Sequence, residues 1–118
     1  MRRLVILGGG ESGVGAAVLG KQKGYEVFVS DAGSIASKYK KVLLHHEINF
    51  EEHQHSVPNI LNADLVVKSP GIPDNVSIVK ELIANKVSVI SEIEFAFQYT
   101  EELLLELLDL TEKQQLHF

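Results

Sequence analysis

An α/β fold is predicted, a Rossmann-like three-layer open parallel sheet of about five strands with helices on both faces, and three observations predict it. Short β-branched runs recur through residues 1–100 with helical patterns between them, the signature of βαβ units. Four of these runs are near-continuously apolar, as strands covered on both faces are. The first run empties directly into a glycine-rich turn at the start of a helix.

The elements follow in order. Leu4-Val5-Ile6-Leu7 is the first strand, and Val14 to Lys23 is the first helix, with Val14, Ala17 and Val18 on one face and Gly24 behind its end. Glu26-Val27-Phe28-Val29-Ser30, Asn49-Phe50-Glu51, Asp64-Leu65-Val66-Val67 and Val87-Ser88-Val89-Ile90 supply the remaining strands. Val76 to Asn85 sets Val76, Val79, Leu82 and Ile83 at helical spacing, with Asn75 placed to cap it. Ser91-Glu92-Ile93-Glu94 has the S-x-x-E form of a capping box, so another helix starts there, its predicted apolar face made of Ile93, Phe95, Ala96 and Phe97.

A chain of 118 residues, 45% hydrophobic and 23% charged, reads as one domain. At this length it buries roughly two-thirds of its unfolded surface and needs no disulfide or metal staple. It contains no cysteine, which excludes thiol nucleophiles, disulfide scaffolds and cysteine-type zinc sites and fits a reducing cytoplasm. No apolar run approaches the roughly 18 residues of a membrane span. The net charge of −5 argues against a nucleic-acid footprint, and its placement is uneven. Residues 1–100 carry 10 basic and 11 acidic groups, whereas residues 101–118 carry one Lys and five Asp or Glu.

The chemistry-bearing segments lie at the ends of the predicted strands. Gly8-Gly9-Gly10-Glu11-Ser12-Gly13 fits G-x-G-x-x-G: Gly8 for the turn off the strand, Gly10 for backbone approach to a diphosphate, Gly13 for close packing of helix on strand. The amides of the helix start then face the anion. Asp31 closes the second strand, where dinucleotide folds place the acid that meets a ribose, although a turn or cap role fits it as well. Loop and acid together do not separate a dinucleotide from another nucleotide diphosphate. After the fourth strand, Lys68-Ser69-Pro70-Gly71-Ile72-Pro73 places a hydroxyl and a rigid turn at the edge of the same crevice, because that strand should neighbour the first.

Taken together and in order, Gly8 to Gly13, Asp31, Ser69-Pro70-Gly71-Ile72 and Ser91-Glu92-Ile93-Glu94-Phe95 resemble the N-terminal domain of the Mur ligases, most of all the members that add D-glutamate. The resemblance covers residues 1–100. It implies a UDP-binding domain of an ATP-dependent ligase of peptidoglycan synthesis, which joins D-glutamate to UDP-N-acetylmuramoyl-L-alanine through an acyl phosphate. It also implies that Gly10, Glu11, Ser12 and Gly13 lie against the diphosphate, that Asp31 and Ala32 sit at the uracil, and that Ser69, Pro70 and Gly71 form the opposite wall. Family members often carry a hydroxyl residue where this chain has Ala32 and a basic or polar one near Gly33, a departure that falls on the uracil contacts.

No G-x-x-G-K-[ST] P-loop follows Tyr99 in this sequence. The chain by itself is therefore expected to be inactive and to need no cofactor, with ATP and Mg belonging to other domains of such a ligase. The alternative from a different class is a non-enzymatic regulatory NAD-binding module, reading its dinucleotide through Gly10 and Asp31.

His45, His46, His53 and His55 match no zinc spacing and read as solvated loop and strand-end residues. Lys38, Lys40 and Lys41 read as a solvated helix face. Residues 101–118 form an acidic Leu-rich tail that does not match the family and reads equally as a truncation, an altered reading frame or a diverged end. Leu103, Leu104, Leu107, Leu108 and Leu110 recur in it at helical spacing, and an exposed stripe of this kind suggests a homodimer.

Overall fold

The structure, a computed structural model, describes residues 1–116. Its elements are β1 (Arg3–Leu7), α1 (Glu11–Gln22), β2 (Glu26–Ser30), α2 (Ser37–His45), β3 (Asn49–Glu51), α3 (Val57–Ile60), β4 (Leu65–Lys68), α4 (Ser77–Ala84), β5 (Ser88–Ser91) and α5 (Glu92–Leu116). All neighbouring strands pair in parallel in the order β3-β2-β1-β4-β5. The order reverses between β1 and β4. A crevice must open there at the carboxyl ends of the strands, because α1 leaves on one face of the sheet and α4 on the other.

Strand alternation builds the two cores. Leu4 and Ile6 point into one with Val14, Ala17, Val29, Leu43, Val67 and Phe95, which packs α1, α2 and α5 onto the sheet. Val5 and Leu7 point into the other with Ile60, Val66, Val79 and Leu82, which packs α3 and α4. Residues Leu4 to Leu7 are fully buried, each side chain contributing about 2 kcal/mol of hydrophobic stabilisation.

Three sequence expectations change. Helix α1 starts at Glu11 rather than Val14, since Gly10 occupies its N-cap and Glu11 meets the positive end of the helix dipole. Asn75 does not cap α4: Val76 holds the N-cap position with no side-chain bond. The capping box forms, with Glu94 N–H donating to Ser91 Oγ at 3.0 Å and Ser91 N–H to Glu94 Oε1 at 3.4 Å, but the buried face of α5 is not the predicted one. Phe95 alone of the four enters the core, joined by Glu92 and the half-buried Tyr99, while Ile93 and Phe97 are 78% and 62% exposed. Aromatic packing decides the rotation, because Phe95 meets Tyr25 and Tyr99 edge to face. The sequence pattern also left α2 and α3 without defined bounds. Each buries just one side chain, Leu43 or Ile60, too little to show as periodicity.

Helix α5 runs without a break past Thr100, where the composition changes. Leu104, Leu105, Leu107 and Leu108 are half or more exposed; the side chains of Leu103 and Leu110 and all of His117 and Phe118 lie outside the described residues. No helix among the described residues is long and apolar enough to cross a membrane.

Candidate functional site

The crevice at the switch point is a cleft of about 450 Å³ lined by Gly8, Gly10, Asp31, Ala32, His55, Ser69, Gly71, Ile72, Pro73 and Val76. Three loops build it, each leaving the carboxyl end of a strand.

The first leaves β1. Gly8 adopts φ +107° and donates its N–H to Ser30 O at 2.9 Å, so only glycine turns the chain there without strain. A Cβ on Gly13 would lie 1.9 Å from the Gly8 carbonyl oxygen, so the helix start is pressed onto the turn as closely as backbone allows. Gly10 is the opposite case: nothing lies within 4 Å of where its Cβ would be, and its φ of −82° suits any residue. The first helical bond is Val14 N–H to Gly10 O at 2.9 Å, which leaves the N–H groups of Glu11, Ser12 and Gly13 as the unpaired donors of the first turn. Donors so grouped, with the positive end of the helix dipole behind them, are suited to an anion.

The second loop leaves β2. Asp31 Oδ2 accepts Gly9 N–H and Oδ1 accepts Gly33 N–H, both at 2.8 Å. The Gly33 bond is the turn role the sequence allowed Asp31, while the Gly9 bond, which ties the glycine turn to this loop, is unforeseen; each oxygen keeps one further acceptor position. The loop after β3 is stitched to it, with His53 N–H donating to Gly33 O at 3.0 Å and Gln54 N–H to Asp31 O at 3.3 Å. This brings His55 to the cleft beside Ala32.

The third loop leaves β4. Ile72 N–H bonds to Ser69 O at 3.0 Å, closing the turn, and Ser69 Oγ accepts Gly71 N–H at 3.4 Å. Lys68, largely buried, clamps this turn: its ammonium donates to Ile72 O at 2.5 Å and pairs with Asp74 at 3.3 Å.

Of the residues expected at the site, Gly10, Asp31, Ala32, Ser69 and Gly71 line this one cleft. Glu11, Ser12 and Gly13 sit at its edge in the first turn of α1, offering backbone donors. Ser12 also borders a groove between α1 and α5, and Pro70 lies on the β4–β5 side of its turn. The sequence reading missed His55, Ile72, Pro73 and Val76 as lining residues. For His55 the signal was topological: β3 was recognised as a parallel strand, so the loop after it had to emerge at the carboxyl edge. Its imidazole is half-buried, and burial holds it below the usual histidine value against the opposing pull of Glu51 and Asp31. His53 is set apart from it by a left-handed backbone, φ 62°, and contacts Ser34 Oγ at 3.4 Å.

Residues 3–90 match the family described as the MurD N-terminal domain. A UDP-N-acetylmuramoylalanine--D-glutamate ligase of Bacteroides thetaiotaomicron is 56% identical over 101 residues, 86% of this chain and 23% of that protein. The ligase of the same name from Christiangramia forsetii is 52% identical over 100 residues, 85% of this chain and 22% of that protein. The chain thus spans less than a quarter of the length of these relatives. In three dimensions it is similar to UDP-N-acetylmuramate-alanine ligase MurC of Thermotoga maritima, with a TM-score of 0.74 at 18% identity over 86% of this chain and 23% of that one. A murein peptide ligase from Psychrobacter arcticus superposes with a TM-score of 0.72 at 23% identity over 80% of this chain and 20% of that one. Both likenesses carry the fold.

Proposed function

The chain belongs to the MurD N-terminal domain family, and on that premise we propose that its cleft binds the UDP moiety of UDP-N-acetylmuramoyl-L-alanine. The observation that carries the reading is the meeting, in one cleft, of the open first turn of α1 with the Asp31-Ala32 and Ser69-Gly71 loops. The diphosphate takes the amides of Glu11, Ser12 and Gly13 and the Ser12 hydroxyl, approaching across Gly10, where no Cβ intervenes. Asp31 and the Ala32 amide meet the uracil, while Ser69 and Gly71 close the far wall and Pro70 stiffens their turn from its outer side. Nothing in these residues activates a carboxylate or a nucleophile. The ATP- and Mg-dependent joining of D-glutamate is accordingly assigned to other domains of the ligase, and the isolated chain is expected to hydrolyse no ATP.

Competition calorimetry tests this. UDP and UDP-N-acetylmuramoyl-L-alanine should bind with one-to-one stoichiometry and displace each other, with NAD far weaker. Preferential NAD binding would favour the regulatory dinucleotide module instead.

A second observation supports a finer reading of assembly. Ile93, Phe97, Leu104 and Leu108 fall on one stripe of α5 and are 78%, 62%, 55% and 60% exposed, and this stripe pairs two copies of the chain. Light scattering should give a dimer that Leu104→Glu/Leu108→Glu converts to monomer; a wild-type monomer at all concentrations rejects it.

A further inference from the structure

Beneath the cleft, Ser30 is fully buried and its Oγ lies 2.7 Å from Glu51 Oε2, 2.7 Å from His55 Nδ1 and 3.2 Å from Gln54 O. The hydroxyl owns one proton, and the carboxylate and carbonyl can only accept. If that proton pointed at His55, the Ser30 and Glu51 oxygens would face each other at 2.7 Å with no hydrogen between them. The arrangement in which every close pair holds a proton has Ser30 O–H donating to Glu51 and His55 Nδ1–H donating to Ser30 Oγ. Glu51 Oε2 is itself fixed by Ser56 N–H at 2.9 Å, so the relay is anchored at its far end. One consequence is that the second ring nitrogen of His55, Nε2, which has no hydrogen-bond partner among the described residues, is an acceptor whenever the imidazole is neutral.

We propose that His55 is a further ligand-binding residue of the cleft, with Nε2 accepting a hydrogen bond from an N–H or O–H donor of the bound nucleoside. This rests on the reading of the cleft as a UDP site and adds to it the group that selects a donor on the ligand. Asp31 alone suits that task less well, because each of its oxygens already holds a loop amide. Burial keeps the imidazole in the neutral form at neutral pH, against the carboxylates of Glu51 and Asp31 that face it. Three donors of UDP share the required chemistry, the uracil imide N–H and the ribose 2′- and 3′-hydroxyls.

The test has two arms. Imidazole 15N shifts of the free protein at pH 7.5 should show His55 as the Nδ1–H tautomer, with the Nε2 resonance moving on addition of UDP; an Nε2–H tautomer overturns the proposal whatever the ligand does. Calorimetry should then show His55→Phe weakening UDP about tenfold while His55→Gln, whose carbonyl replaces the Nε2 acceptor, stays within about threefold. Repeating the pair with 2′-deoxy-UDP, 3′-deoxy-UDP and 3-methyl-UDP identifies the donor, since the His55→Phe effect vanishes for the analogue that lacks it; an effect that persists undiminished with all three overturns the proposal. UDP binding equal in wild type and His55→Phe rejects the role of His55 alone, whereas a wild type that binds no UDP rejects the site and this proposal together.

Discussion

The two ends of the sheet treat their polar groups in opposite ways. At the amino end, Arg3 bonds to Asn62 Oδ1 at 2.9 Å, Glu26 Oε1 at 2.8 Å and Asn59 O at 2.8 Å, while its backbone N–H meets Asp64 Oδ2 at 2.7 Å. Each guanidinium nitrogen donates to its own chain, and the group lies 5.3 Å from the Phe28 ring centre, in cation–π range. At the carboxyl end, the charged groups are also turned inward, Asp31 onto Gly9 and Gly33 and Lys68 onto Ile72, but there they hold loops whose remaining donors and acceptors stay open. The difference teaches where to look for function: a polar group that satisfies its neighbours builds the frame, and one left open by a rigid frame is free for a ligand. The two classes should separate under mutation.

The largest effect is expected at Gly13, where frame and site touch. Gly13→Ala drives a Cβ into the Gly8 carbonyl and should lower stability by about 3 kcal/mol in urea unfolding, with ligand binding lost alongside. Arg3→Ala comes next, at about 2 kcal/mol of stability, since Asn62 and the Asn59 carbonyl lose their partner while the part-exposed Glu26 pair adds little. Its UDP affinity per folded molecule should be unchanged; a loss of affinity would break the separation between the two ends. Gly10→Val is the converse. It should unfold within about 0.5 kcal/mol of wild type, because the space beside Gly10 is empty, yet weaken UDP by at least about tenfold by obstructing the diphosphate.

The smallest effect is on pH dependence. The unfolded chain binds a proton at His55 more readily than the folded one, so its share of stability is complete above the ordinary value of 6.5 and declines as pH falls below it. Glu52, held ionised by Ile35 N–H and then by Lys40, adds a second decline below its ordinary 4.5. His55→Gln should flatten the first decline in urea midpoints measured from about pH 7.5 to 3 and leave the second in place.

Much of the frame was legible because parallel strands are short and emphatic. Glu26–Ser30 and Asn49–Glu51 coincide with their predicted bounds, and the neighbouring of β1 and β4 follows from the βαβ pattern. Local motifs with a fixed backbone meaning were equally readable, as the Ser91–Glu94 capping box shows. What sequence did not reveal depends on packing across distance. The face of α5 turned on one aromatic cluster, and the Asp31 carboxylate could be placed at the crevice but not seen to hold Gly9. His55 belongs to the site only because β3 carries its loop alongside Asp31, a fact of tertiary topology that no spacing encodes.

The most direct test of the central claim is the map of backbone amide shifts on titration with UDP. Saturable changes should concentrate at Glu11 to Gly13, Ala32, His55, Ser69 and Gly71, while Arg3, Asn59 and Asn62 at the opposite end stay still. Shifts centred on the amino end, or no shifts with UDP where NAD produces them in the cleft, would contradict it.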